Sequence, residues 1–157
     1  MQSITFTDIY LQLLLAMALG IALGIERFVA HKTAGMRTYT LVSVGSAMFV
    51  IVSKMVTVQY GLTGYDFHVV AQIIAAAGFL GVGAIFRTGQ GVTGITTATG
   101  LWVAAAIGTA CGFGYFRVAT LVTALALFIF TFLWFIEKQI NRARNEDDTA
   151  TPLSPIQ

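Results

Sequence analysis

Ile9-Tyr-Leu-Gln-Leu-Leu-Leu-Ala-Met-Ala-Leu-Gly-Ile-Ala-Leu-Gly-Ile25 runs without a charge and then meets Glu26-Arg27. A helix rises about 1.5 Å per residue, so such a run covers most of the ~30 Å hydrocarbon core of a bilayer. A signal peptide would open with a positive segment. Here the first basic residue is Arg27, and the stretch before it holds Asp8. The run reads as a retained membrane span. Residues 38–53 (extending past Lys54), 69–86, 95–113 and 118–136 repeat the pattern. The expected fold is an all-α integral membrane protein, a bundle of about five transmembrane helices over residues 1–140.

Composition agrees. Hydrophobic residues make up 57% and charged residues 10%. A soluble domain carries about 25% charged residues, so this chain cannot coat a water-facing surface. That excludes a disulfide scaffold, a disordered chain and most soluble enzymes. Cys111 is the sole cysteine and has no partner within the chain. The net charge of +2, with no basic stripe among aromatics, gives no nucleic-acid surface. Residues 141–157 are polar, with Glu146, Asp147, Asp148, Pro152 and Pro155, and read as a short disordered cytoplasmic tail.

The basic residues set an orientation. Five spans with the N-terminus outside put Arg27, Lys32, Arg37, Arg87, Lys138, Arg142 and Arg144 on the inside. Only Lys54 and Arg117 fall outside. Cytoplasmic loops carry the excess of lysine and arginine, so the expectation is N-out, C-in.

Lipid tails are as apolar as leucine, so helices meet in a membrane where small residues let backbones approach. Span one carries Ala16, Gly20 and Gly24 at four-residue spacing. Span four carries Gly100, Ala104, Gly108 and Gly112, and span three is rich in alanine and glycine, including Gly78 and Gly81. These three spans are expected to form the tight centre. Span five, with Phe128, Phe130, Phe132, Trp134 and Phe135, reads as a lipid-facing periphery with Trp134 near the inner interface.

A faint repeat runs through the chain. Gly24-Ile-Glu-Arg27 followed by Ala34-Gly-Met-Arg-Thr-Tyr-Thr40 has a counterpart in Ala84-Ile-Phe-Arg87 followed by Thr93-Gly-Ile-Thr-Thr-Ala-Thr99. The displacement is about 60 residues. Helices 1–2 and 3–4 would then be a parallel repeat about the membrane normal, with two threonine-rich helix starts on one face. Those threonines can cap free amides, or the helix ends can attract an anion.

Glu26 is the candidate functional carboxylate, since ionisable groups within a membrane tend to be paired or functional. Arg27, Arg37 and Arg87 lie on the same expected side. An interfacial salt bridge explains Glu26, and so does a cation-binding, proton-titrating or partner-contacting role. Thr96 and Thr97 complete the polar cluster. Gln72 reads as an interhelical hydrogen-bonding residue. Asp66 and His68 in an outer loop are too few to make a magnesium site, and Glu26 is the one metal candidate. His31 and Lys32 suit a loop on anionic headgroups. The run Arg87-Thr-Gly-Gln-Gly-Val92 lacks the ending of a phosphate-binding loop, and no carboxylate pair or cysteine–histidine cluster is present. No enzyme activity is expected, and no resident cofactor, with magnesium as the one candidate ion.

Several of these segments resemble the MgtC/SapB family of bacterial membrane proteins. They are Gly24-Ile-Glu-Arg27, Ala34-Gly-Met-Arg-Thr38, Ala71-Gln-Ile-Ile74, Gly78-Phe-Leu-Gly-Val-Gly-Ala84, Gly94-Ile-Thr-Thr-Ala-Thr-Gly-Leu-Trp102 and Ala104-Ala-Ala-Ile-Gly108. The resemblance spans residues 10 to 135. It implies a multi-pass inner-membrane protein tied to growth under magnesium limitation and, in pathogens, to survival inside host cells. Family members look more like regulators of other membrane machines than magnesium transporters, and the proton-translocating ATP synthase is one proposed target. Glu26, Arg37, Gln72, Thr96 and Thr97 fall in its motifs. Longer members carry a soluble C-terminal domain, which this chain does not reach. The family usually has alanine where Gly100 stands, which reads as a minor change.

The functional expectation is therefore a regulator that acts by helix contacts, as a homo-oligomer or on another membrane protein. The small-residue faces of Gly20, Gly24, Gly78, Gly81, Gly100 and Gly108 would make those contacts. The alternative is a small magnesium or proton transporter or channel, with Glu26 as its ion contact.

Overall fold

The computed structural model describes residues 6–61, 65–89 and 91–150. Five helices follow one another: α1 (Phe6–Val29), α2 (Met36–Tyr60), α3 (Tyr65–Gly83), α4 (Ile95–Phe113) and α5 (Phe116–Ala150). A short antiparallel hairpin, β1 (Phe86–Thr88) and β2 (Gly91–Thr93), joins α3 to α4. Phe6–Val29, Met36–Tyr60, Ile95–Phe113 and Phe116–Ile140 are each long and apolar enough to cross a membrane. Within α3, Phe67–Gly83 is a shorter apolar helix.

The apolar runs locate the helices, and the punctuation between them sets the ends. α2 continues through Lys54 to Tyr60 and stops at Gly61, whose φ of 64° is left-handed. Glycine adopts that conformation without steric cost. α3 ends three residues before the expected limit of 86, and Phe86 instead pairs with Thr93 across the hairpin. Arg87, Thr88, Gly91 and Val92 of the segment rejected above as a phosphate loop are therefore strand residues of this hairpin. Gly94 then starts α4 with φ of 90°, and a Cβ there would run into the Ala84 carbonyl oxygen. No other residue type fits both constraints.

α2 and α4 lie at the middle of the bundle, with α1 against both. The glycine stripes explain this. A Cβ on Gly20 would stand 2.8 Å from Thr40 Cα, and one on Gly24 would run into Met36 Cα. A Cβ on Gly112 would lie 2.7 Å from the Ala47 oxygen, and one on Gly108 would meet the Ser43 oxygen. The stripes of α1 and α4 therefore close on neighbouring stretches of one face of α2, with Ser43 common to both. The Ser43 hydroxyl adds a 2.8 Å hydrogen bond to the Ala16 carbonyl of α1. Expected at the centre, α3 is instead outside it. Gly81 touches Ala98 at 3.4 Å from its would-be Cβ, whereas Gly78 and Gly83 face open space. α3 buries Ile73 and Ala77 and leaves most of its surface outward.

α5 is peripheral, as its aromatic content suggests: 17% of its most apolar window is buried, against 56% for α4. Phe130 departs from that reading. It turns inward with Ala119, Thr123 and Ala126, while Phe128, Phe132, Trp134 and Phe135 face out. Lys138 lies over the Trp134 ring at 5.0 Å. The helix continues through residues 141–150, where composition suggested a disordered tail. That stretch holds neither glycine nor proline, so nothing in it breaks the backbone ladder. Residues 151–157 lie outside the described residues.

Candidate functional site

The end of α1 builds the site. Lys32 N–H donates to the Arg27 carbonyl at 3.0 Å, and His31 N–H to the Phe28 carbonyl at 3.1 Å. These two bonds, with His31 left-handed at φ of 54°, make the Schellman ending of a helix. His31 Nδ1 lies 2.9 Å from the Val29 oxygen, which holds the ring over the turn. The turn swings the chain into α2 and leaves Arg27 in the last turn of α1, where the helix end favours a cation.

Arg27 is 2% exposed. Its Nε donates to Glu26 Oε2, and its Nη2 donates to Glu26 Oε1 at 2.7 Å. Neighbouring helix positions normally diverge. Here Glu26 curls after an inward-pointing arginine, so the fork-to-fork pair forms within one turn. Arg27 Cζ lies over the Phe130 ring, 3.7 Å from its centroid. Carboxylate and phenyl ring give the buried cation two kinds of partner.

Phe130 connects the pair to a second group. Tyr39 is fully buried, and its hydroxyl donates to the Thr97 carbonyl at 3.3 Å. A Cβ on Gly100 would meet that hydroxyl and would stand 3.0 Å from Phe130 Cζ. Gly100 thus makes the room in which Tyr39 and Phe130 come together. The alanine that the resemblance places there would crowd both side chains, so this departure is not minor. Thr97, 2% exposed, sits 3.5 Å by its Oγ1 from the Thr33 hydroxyl of the α1–α2 connection.

The structure therefore unites Glu26, Arg27 and, through Tyr39 and Phe130, Thr97. Arg37, Arg87 and Thr96 are exposed and stand apart from that pair. Gln72 is exposed on α3, and its side chain makes no hydrogen bond among the described residues. Gly20, Gly24, Gly100 and Gly108 pack against other helices, Gly81 touches α4, and Gly78 does not pack. Sequence reasoning missed Tyr39 and the inward turn of Phe130. Gly100 stands in line with Gly108 and Gly112, and nothing in the sequence separates a glycine that seats a helix from one that makes room for an aromatic ring. Among the described residues no group of three or more histidine, cysteine, aspartate or glutamate side chains could hold a metal ion.

The family model named MgtC family matches residues 13–139. The chain belongs to the MgtC family. Protein MgtC of Brucella abortus (strain 2308) is 43% identical over 112 residues, 71% of this chain and 45% of that protein. Protein MgtC of Salmonella typhimurium (strain LT2) is 42% identical over 117 residues, 74% of this chain and 48% of that protein. The chain thus spans about half the length of the MgtC relatives it matches. No solved structure matches it. Membership, together with four helices fit to cross a bilayer, makes this an all-α membrane protein. The buried pair, its aromatic cover and the glycine stripes all lie within the matched region of the MgtC family.

Proposed function

We propose that the protein is a regulatory component of the bacterial inner membrane, linked to growth under magnesium limitation. It works through helix contacts with itself or with another membrane protein. The connections α1–α2 and α3–α4 face the cytoplasm in this reading. The observation that carries it is the outward side of α3. Ala71, Ala75, Gly78 and Val82 recur there at spacings of four, three and four, all exposed, with Gln72 at the edge. Small residues permit close approach in lipid, and an amide facing lipid gains by finding a partner. The chemistry of Glu26 weighs in the same direction, because both its oxygens are engaged by Arg27. A transporter would need that carboxylate released at each cycle.

The test is oxidative crosslinking of Ala75→Cys in a Cys111→Ala background, in membranes, with Gly78→Leu as the disrupting variant. A crosslinked dimer or a crosslinked partner that Gly78→Leu removes is the expected result. Absence of any crosslink at Ala75 or at a second site, Ala71→Cys, would sink the reading. Proteoliposomes loaded with a magnesium-sensitive dye supply the opposing measurement. Flux that depends on the protein and is abolished by Glu26→Gln would replace regulation with transport.

A further inference from the structure

A groove of about 490 Å³ opens between α2, α3 and the start of the hairpin. Its lining carries Arg37, Thr33 and Thr38 at one end and the apolar Leu41, Val42 and Leu80 beyond them. A second hollow of about 280 Å³ shares Leu41, Val42 and Leu80 and continues along Gly45 to Phe49. The two form one slot with a cationic, hydroxyl-bearing end and an apolar length. From Arg37 to Phe49 along α2 is about 18 Å at the helical rise. One leaflet of hydrocarbon is about 15 Å deep. The mouth stands at a helix end, where α2 begins and α3 stops, so it lies at headgroup level when the slot lies in the leaflet.

The dimensions choose the occupant. A helix about 10 Å across and 18 Å long fills on the order of 1,400 Å³, which the slot does not offer. A single hydrocarbon chain is thin enough. At the mouth, the Arg37 guanidinium has no hydrogen-bond or ion-pair partner among the described residues. Its planar fork matches a phosphate, and the nearby threonine hydroxyls can add donors. Arg87, next to the lining residue Phe86, adds positive charge to the same end.

The geometry points to a site for one anionic phospholipid, its phosphate at Arg37 and one acyl chain in the slot between α2 and α3. The floor is open because Gly45 has nothing within 4 Å of a would-be Cβ. Arg37 holds the headgroup, and Gly45 leaves room for the chain.

Native mass spectrometry of the full chain, with dioleoyl phosphatidylglycerol or dioleoyl phosphatidylcholine added at equal concentration, tests this. Wild type is expected to retain phosphatidylglycerol about five- to tenfold better than phosphatidylcholine, the preference one well-placed cation gives near a membrane surface. Arg37→Gln should lower phosphatidylglycerol retention to the phosphatidylcholine level. Arg117→Gln, at the opposite end of the bundle, should leave it unchanged. Gly45→Leu fills the slot and should lower retention of both lipids, with circular dichroism confirming an unchanged helix content. Excess inorganic phosphate should not displace the lipid, and displacement would reduce the site to a free-anion contact and overturn the proposal. Equal retention of the two lipids by wild type, or full retention by Arg37→Gln or by Gly45→Leu, would also overturn it.

Discussion

Replacing Gly108 by alanine would push one methyl group into the backbone of α2. The new Cβ would meet the Ser43 oxygen and stand 2.7 Å from Ser43 C and 2.8 Å from Ser43 Cα. Ordinary contact begins near 3.4 Å, so Ser43 C alone requires α2 and α4 to part by about 0.7 Å, and the nearer oxygen requires more, in an interior packed to crystal-like density. The obstacle is main chain, which no rotamer change can move aside. Overpacking of this kind costs about 1–3 kcal/mol. Alanine returns about 0.5–1 kcal/mol through its better helix propensity, leaving a net loss of about 1–2 kcal/mol. Gly45 is the control: nothing lies within 4 Å of its would-be Cβ. Gly45→Ala therefore keeps only the propensity gain of about 0.5–1 kcal/mol. Both variants would be purified in a mild detergent and unfolded by titration with sodium dodecyl sulfate, followed by circular dichroism. The expected order is Gly45→Ala at or above wild type and Gly108→Ala below it, about 2 kcal/mol apart. A Gly108→Ala protein as stable as Gly45→Ala would show that the two helices do not meet through their backbones.

Glu26→Gln leaves the Arg27 guanidinium enclosed without its counter-charge. The expected loss is about 2–3 kcal/mol, below the figure for a fully buried pair because the Glu26 side chain is 18% exposed. The double variant Glu26→Gln/Arg27→Gln should recover most of that loss in the same unfolding assay, and no recovery would dissolve the pair. Phe130→Leu removes the ring beneath Arg27 and should cost about 1–2 kcal/mol. Phe128→Leu, at a position 59% exposed, should change stability by less than about 0.5 kcal/mol, and equal effects would refute the inward placement of Phe130. Ser43→Ala and Tyr39→Phe each delete one interhelical hydrogen bond, to Ala16 and Thr97. Each should cost about 0.6 kcal/mol, the average for such bonds in a membrane, and a loss several times larger would mean the hydroxyls rather than the glycines hold the helices together.

The spans were legible because a bilayer demands long apolar runs, and the chain supplies them with few interruptions. Gly20, Gly24 and Gly108 were legible as contact positions from their spacing alone. Which helix they grip was not. α2 has no glycine stripe, and its part in the contact is played by the main chain at Met36, Thr40, Ser43 and Ala47, which carries no sequence signature. The small residues of α3 had the same spacing as a packed face yet point outward, since composition cannot distinguish a neighbour within the chain from one outside it. Glu26 was visible, but Arg27, Arg37 and Arg87 were equally plausible partners on charge. Only the inward turn of Arg27 onto Phe130 decides between them. Phe130 itself looked like its outward neighbours, because one position in a phenylalanine-rich helix differs from the next only in phase.

The seating of two glycine stripes on one face of α2 divides the bundle mechanically. Sliding α2 along its axis would lift its main chain over Gly20 and Gly24 of α1 and over Gly108 and Gly112 of α4, so α1, α2 and α4 move as one block. α3 has no such interlock; its Gly78 and Gly83 touch nothing. A rotation of α3 about its own axis breaks the contacts of Ile73, Ala77 and Gly81 and leaves the rest of the bundle as it was. A turn of α3 is therefore opposed only by side-chain packing, and the slot between α2 and α3 widens or narrows with it.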